Sequence, residues 1–317
     1  MVGDGNPVVT GTRIDDPDAS TWETATGNDP AGMLVPLPVS VREEQAPTWH
    51  HAVILDHRPI GDRYRFLRVH APSIAVGTRA GQFVMITVAR DNDGPVLPRP
   101  MAVYRTDLVG GTLDVVYGVQ GQGTSRLASF TPGERLLVVG PLGRGFHLSP
   151  RTSHALIIGR GVGICSLSML ASDCAARGTG THVVLSARSR EALLGAQDFR
   201  SWGIRDLIES IDTEGTSDPA HLHRHLLGQL DEQPPEQIFT CGSERLTRVC
   251  TVLGQRWGAE VQVSVEAHMA CGLGYCHGCA SGAPGTASES PLVCTDGPVF
   301  RWEPDTRALA GTSPQVR

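Results

Sequence analysis

Four cysteines crowd one short stretch of the chain: Cys271-Gly-Leu-Gly-Tyr-Cys276-His-Gly-Cys279, then Cys294 fifteen positions on. This C-x4-C-x2-C…C array has the spacing with which thiolates hold a two-iron two-sulfur cluster. Iron and sulfide call for soft thiolate donors, and Gly272, Gly274 and Gly278 would let a tight loop turn its amides toward the sulfurs. A zinc knuckle, which favours C-x2-C pairs, and inert buried thiols are the competing readings. Of the other four cysteines, Cys165, Cys174 and Cys250 read as small core residues. The fourth, in Cys241-Gly242-Ser243, ends an apolar run, the place where open α/β sheets bind ligands.

Three further stretches have the chemistry of phosphate binding. Arg99 follows a turn and leads into Pro100-Met101-Ala102, so its planar guanidinium could grip a pyrophosphate bidentately. Gly121-Gln-Gly123-Thr124 opens a short helix whose first amides are free for a second phosphate oxygen. Gly159-Arg160-Gly161-Val162-Gly163 lies between an apolar strand and a helix, where glycines permit close approach of a dinucleotide. Each motif has a purely structural reading as well, since glycine turns and Arg-Pro pairs are common in loops.

Composition removes several other functions. The 317 residues include 27 basic ones, all arginine, because no lysine occurs; phosphate-loop and Schiff-base lysine chemistry are therefore excluded. A net charge of −6 with scattered arginines gives no footprint for nucleic acid, and no basic amphipathic segment suggests a membrane surface. The absence of a long apolar run and of a basic-then-apolar leader sets the expectation of a cytoplasmic protein.

The elements that must position these motifs fall into regimes. Residues 1–46, acidic and poor in large apolar groups, read as a disordered extension. Residues 47–150 carry short β-prone runs (Ala52–Leu55, Tyr64–Val69, Gln82–Val88, Leu113–Val119, Arg135–Val139), as in a small antiparallel barrel. Residues 151–256 alternate apolar strands with helices, the pattern of a doubly wound parallel sheet: Ala155–Ile158, helix Ser166–Arg177, Thr181–Ala187, helix Glu191–Trp202, Gln237–Thr240, helix Glu244–Gly254. Residues 257–303 are loop-rich around the cysteines, and 304–317 read as a tail.

In this order the pieces resemble the ferredoxin-reductase-like electron-transfer subunit of class 1B dihydroorotate dehydrogenases, over about residues 48–303. The stretch Val265-Glu-Ala-His-Met-Ala-Cys271-Gly-Leu-Gly-Tyr-Cys276-His-Gly-Cys279 is similar to the family's Leu-Glu-x-x-Met-x-Cys-Gly-x-Gly-x-Cys-x-x-Cys run, and Gly140-Pro-Leu-Gly-Arg-Gly-Phe146 to its Gly-Pro-Leu-Gly-x-Gly-Phe turn. The resemblance implies an antiparallel FAD barrel, an α/β domain binding NAD or NADP, and a small C-terminal [2Fe-2S] domain ligated by Cys271, Cys276, Cys279 and Cys294. It places Arg99, Pro100, Met101 and Ala102 along the flavin and its phosphates, Val116, Tyr117 and Gly118 on the neighbouring strand, and Gly123 and Thr124 at the pyrophosphate. Gly159, Gly161, Gly163, Cys241 and Gly242 would line the nicotinamide nucleotide. The family has Ser at Ala102 and Arg at Gly118, and its Gly-Gly-Gly-Ile-Gly run reads Gly159-Arg160-Gly161-Val162-Gly163 here.

By the same resemblance the chain would carry electrons between NAD(P) and a separate FMN-containing dehydrogenase in a hetero-oligomer serving pyrimidine biosynthesis, with no side chain of its own acting on dihydroorotate. A sulfhydrogenase-gamma-like or other NAD(P)H-linked reductase subunit with a different partner, and a cluster-bearing scaffold without nucleotide exchange, are the alternatives. Arg188 and Arg190 could reach the 2′-phosphate of NADP or be ordinary surface residues, so the sequence leaves NAD against NADP open.

Overall fold

A computed structural model describes residues 32–37, 46–61, 63–90, 93–281 and 290–304. Most of the expected extension and the expected tail lie outside these residues.

The first sheet is built from β2 (Thr48–Ile60), β3 (Tyr64–His70), β4 (Phe83–Thr87), β5 (Arg99–Ala102), β6 (Arg105–Asp107), β7 (Thr112–Gly118) and β8 (Arg135–Leu142). They pair antiparallel in the order β5-β4-β8-β2-β3-β7-β6 and curl around a core that includes Ile54, Leu67, Val84, Ile86, Val115 and Val138. The edge strands are drawn together by the chain between them: Val103 N donates to Gln82 O and Tyr104 N to Asp114 O. Helices α1 (Pro72–Gly77) and α2 (Gln122–Ala128) complete this half.

The second sheet contains β1 (Gly32–Pro36), β9 (His154–Arg160), β10 (Gly180–Ala187), β11 (Asp206–Ile211), β12 (Gln237–Cys241), β13 (Glu260–Ser264) and β14 (Val299–Pro304), in the order β1-β14-β13-β12-β9-β10-β11. From β13 to β11 the pairing is parallel. The order reverses between β9 and β12, which makes their carboxyl ends the switch point where such sheets bind ligands. Helices α3 (Ile164–Arg177), α4 (Ala196–Ser201), α5 (Pro219–Leu230) and α6 (Glu244–Trp257) connect the strands. Local chemistry fixes their ends: the Ser243 side chain accepts from Leu246 N at the start of α6, and the left-handed Gly258 stops it.

The structure departs from the sequence reading in four places. Part of the expected extension is ordered: β1 pairs antiparallel with β14, and Leu37 is buried. The boundary expected at residue 256 also shifts, because β13 and β14 belong to the second sheet and the cysteine segment is a long excursion between them. The helix expected over Glu191–Trp202 is a 3-10 turn at Arg190–Ala192 followed by α4, split by Gly195 at φ 78°. Strand β11 and helix α5 were not expected at all.

The two halves share one core, in which Phe66, Tyr104 and Val116 meet Ile157, Leu167 and Phe239. Tyr104 OH donates to Asp198 Oδ2 at 2.5 Å, and Ser168 Oγ donates to Tyr104 O. Burial and this bond hold the Tyr104 phenol far above its ordinary pKa. Tyr104→Phe should leave the carboxylate without its donor and cost about 1–2 kcal/mol, read as a melting temperature lower by about 2–4 °C. An unchanged melt would show that the bond does not hold the halves together.

Candidate functional site

The cysteine segment lies on a small apolar core of Phe83, Met85, Leu142, Val293 and Phe300. Gly272 and Gly274 adopt φ of 71° and 86°. A Cβ on Gly272 would come within 2.6 Å of Met85 Cγ, so glycine there lets the loop lie on β4. Gly278 is not at positive φ; His277 takes that conformation instead, at φ 54°. Amides do turn to the sulfurs: Leu273 N donates to Cys271 Sγ at 3.3 Å, and Cys294 N to Cys279 Sγ at 3.4 Å. Burial would push the Cys271 thiol up, but the amides of Leu273, Cys276 and Tyr275 and the Cys276 thiol bring it down to about 7. Burial and the neighbouring Cys279 thiol push Cys294 up to about 12.

The Cys276 thiol neighbours that of Cys271, and the Cys294 thiol neighbours those of Cys279 and Cys271, so the four thiols share one corner of the fold. Among the described residues no three His, Cys, Asp or Glu side chains gather around a single ion. Four thiolates at one corner match the donor set of a two-iron core, in which each iron takes two of them. Cys279 and Cys294 are buried, Cys271 is half-buried and Cys276 is exposed, so the set runs from the interior to the surface.

On the barrel, Arg99 and Gly123 come together although 24 positions separate them. A Cβ on Gly123 would fall 1.8 Å from Arg99 Nε, so the guanidinium lies directly over the start of α2. It is held there by bonds to Leu97 O and Pro98 O. Pro100 and Ala102 are half-buried beside it, and Met101 turns into the barrel. The Thr124 hydroxyl is committed to capping α2, accepting from Gln120 N and Gly121 N, so any contact with phosphate there falls to backbone. Tyr117 turns its ring into the barrel core, and its hydroxyl donates to His57 Nε2, whose Nδ1–H donates to Phe130 O. Val116, on the opposite face of β7, packs into the core shared by the two halves. Of the three expected β7 residues, only Gly118 opens onto a cleft.

That cleft, about 550 Å³, runs between the two halves. Pro59, Tyr64 and Gly118 line it from the barrel, and Arg160, Gly161 and Gly242 from the strand ends of the second sheet. Gly163 lies just beneath, where a Cβ would come 2.6 Å from Gly242 Cα, and a Cβ on Gly159 would come 2.9 Å from Ile164 Cγ1, so glycine there lets α3 pack closely. Cys241 does not face the cleft; it is buried in the shared core, and burial pushes its thiol up to about 12. Glu266 does face it, and burial holds its carboxyl above the usual range. Sequence reasoning missed Arg63, Tyr64 and Arg65 at the β2–β3 hairpin and Gln120 after β7, because none of them belongs to a motif.

Arg160 is held in place: its guanidinium donates to Asp212 Oδ1 at 2.9 Å and Oδ2 at 2.6 Å, and to Ser186 Oγ at 2.8 Å. Arg190 is paired in turn with Glu209 and Glu214. Among the described residues no helix is long and apolar enough to cross a membrane.

A curled antiparallel sheet and a parallel α/β sheet meeting at one cleft, with a cysteine loop packed on β4 and β8 of the first, define an oxidoreductase of the ferredoxin-reductase-like class. A solved NADH-dependent reduced ferredoxin–NADP oxidoreductase has this fold at TM-score 0.66 and 25% identity, over 81% of this chain and 91% of that one. The ferredoxin reductase in carbazole 1,9a-dioxygenase, at 18% identity and TM-score 0.53 over 68% and 69% of the two chains, shares the fold alone. Residues 266–304 match the iron-sulfur cluster binding domain of dihydroorotate dehydrogenase B. The Geobacillus thermodenitrificans protein named dihydroorotate dehydrogenase B (NAD(+)), electron transfer subunit, is 32% identical over 78% of this chain and 95% of its own length. The Streptococcus pneumoniae protein of the same name is 28% identical over 70% and 85%. The chain belongs to the family of dihydroorotate dehydrogenase B electron transfer subunits.

Proposed function

We propose that this chain carries electrons between a dihydroorotate-oxidising, FMN-containing partner subunit and NAD, holding FAD and one [2Fe-2S] cluster, in a hetero-oligomer that serves pyrimidine biosynthesis. The observation that carries the reading is the cleft that brings Gly118 of the barrel together with Gly161 and Gly242 of the strand ends. When bound, flavin supplies the exchange between a two-electron hydride and the single electrons that an iron–sulfur cluster passes.

The chain's own residues hold and orient. Arg99 and the amides at Gly123 and Thr124 would bind the flavin pyrophosphate, with Pro100, Met101 and Ala102 shaping the groove along β5. Gly118 leaves the cleft open where a side chain would fill it, and Val116 and Tyr117 stiffen the strand from behind. Gly159, Gly161, Gly163 and Gly242 bring backbone close to the nicotinamide nucleotide at the switch point, with Cys241 packing beneath them. Cys271 and Cys276 would take one iron, and Cys279 and Cys294 the other. The exposed Cys276 follows Tyr275, which is 86% exposed, and this rim is where a partner would approach.

The chain, loaded with flavin and cluster and mixed with the catalytic subunit of a dihydroorotate dehydrogenase, should form NADH from dihydroorotate and NAD+. No NADH would overturn the assignment. It would favour a reductase subunit with another partner, the reading closer to the NADH-dependent reduced ferredoxin–NADP oxidoreductase.

The same edge predicts cofactor choice. Arg190 already serves Glu209 and Glu214, so a 2′-phosphate there would have to displace two carboxylates and remain beside them. Reduction of bound flavin should favour NADH over NADPH in kcat/KM by at least about tenfold, the equivalent of about 1.4 kcal/mol. Equal rates would show that Arg188, exposed at the end of β10, takes the phosphate after all.

A further inference from the structure

Arg160 is the residue by which this chain departs from the glycine turn it otherwise shares with its family, and its placement is unlike that of a surface arginine. It ends β9, donates to Ser186 Oγ near the end of β10, and closes a two-pronged pair on Asp212, which directly follows β11. One side chain therefore bridges the carboxyl ends of three adjacent parallel strands. These are the ends at which an open α/β sheet receives its ligand, and Arg160 itself forms part of the cleft wall opposite Tyr64.

The pair is well anchored on both sides. Asp212 also accepts from Ser217 Oγ, so the carboxylate does not swing freely with the guanidinium. The guanidinium side chain is only 20% exposed and the carboxylate 30%, so water competes weakly for either. Three charge-assisted bonds must be parted before anything else can occupy the space over the strand ends. Arg160 brings no net charge for phosphates while Asp212 holds it.

We propose that Arg160 is a latch on the nicotinamide-nucleotide site: paired with Asp212 it closes the ends of β9, β10 and β11, and the nucleotide binds only when the pair has opened. The proposal rests on the functional reading above. A site that is open only part of the time binds with an apparent Kd raised by the reciprocal of the open fraction. If the pair is open about one-tenth of the time, the affinity is about tenfold weaker than the glycine frame alone would give.

The test titrates NAD+ calorimetrically into the full chain loaded with flavin and cluster, comparing the native protein with Arg160→Ala and Arg160→Lys. Arg160 has extended backbone, φ −128° and ψ 133°, which both replacements adopt without strain. The Ala variant should bind NAD+ about tenfold more tightly. The Lys variant should fall between the two, because an ammonium keeps the charge but lacks the two-pronged fork. Unchanged or weaker binding by the Ala variant would overturn the latch and make Arg160 a bystander or a phosphate ligand. Failure of all three proteins to bind NAD+ would instead overturn the nucleotide reading, and the latch with it.

Discussion

Cys279→Ser is expected to strip the chain of iron and sulfide while leaving its flavin in place. Cys279 is 4% exposed, accepts from Cys294 N and neighbours the Cys294 thiol, so it stands at the inward half of the four-sulfur set. Loss of a hydrogen bond that merely supports a ligand weakens metal affinity by about 10–100-fold, so loss of a buried ligand should exceed about 100-fold. Metal analysis should fall from about two irons per chain to a small fraction of one. Reduction of bound flavin by NADH should persist, because the flavin groove and the cleft involve none of the four cysteines. Cys250→Ala, altering a buried thiol of α6, should keep its iron. If the Cys279 variant retains two irons, or Cys250→Ala loses them, the ligand assignment is wrong.

Arg99→Ala should loosen the flavin by about 10–100-fold, in line with about 1.5–3 kcal/mol for hydrogen bonds to a charged group. The residue sits over the first turn of α2, where its guanidinium and free amides converge on the same small volume. Arg99→Lys should recover only part of the loss, since a point charge cannot reproduce the planar fork. Gly123→Ala tests the same geometry from the other side: its methyl carbon would occupy the space of Arg99 Nε and drive the guanidinium away. Equilibrium dialysis of flavin against each variant reads all three. Undiminished retention in both Arg99→Ala and Gly123→Ala would remove the pyrophosphate from this corner.

The strands that the sequence made visible are those that bury apolar residues. Runs such as Ala155–Ile158 and Gln237–Thr240 have no alternative to the centre of a sheet, and their periodicity records it. Strand β11 escaped because it is an edge: Asp206 is exposed and Glu209 serves arginines at the surface, so its pattern is half polar. Strand β1 escaped because what makes it a strand is β14, more than 260 positions away, and the indole of Trp302 against which Gly32 lies. The inward turn of the Tyr117 ring was illegible for a related reason. Alternation along β7 says that Val116 and Tyr117 face opposite ways, but not which of them faces the core that also receives the second domain.

The cysteine spacing, the glycine turns and the succession of an antiparallel and then a parallel sheet were legible in the sequence alone, because each depends on what adjacent residues can do: turn, cap, alternate or carry a thiol. Only the tertiary structure decided which of these motifs share a cleft, that Cys241 turns away from it, and that Arg160 is bound to a carboxylate 52 positions on. Spacing along a chain constrains a loop closely but places almost no limit on which distant strand end will come to lie beside it; that is settled by the burial of two sheets against one another.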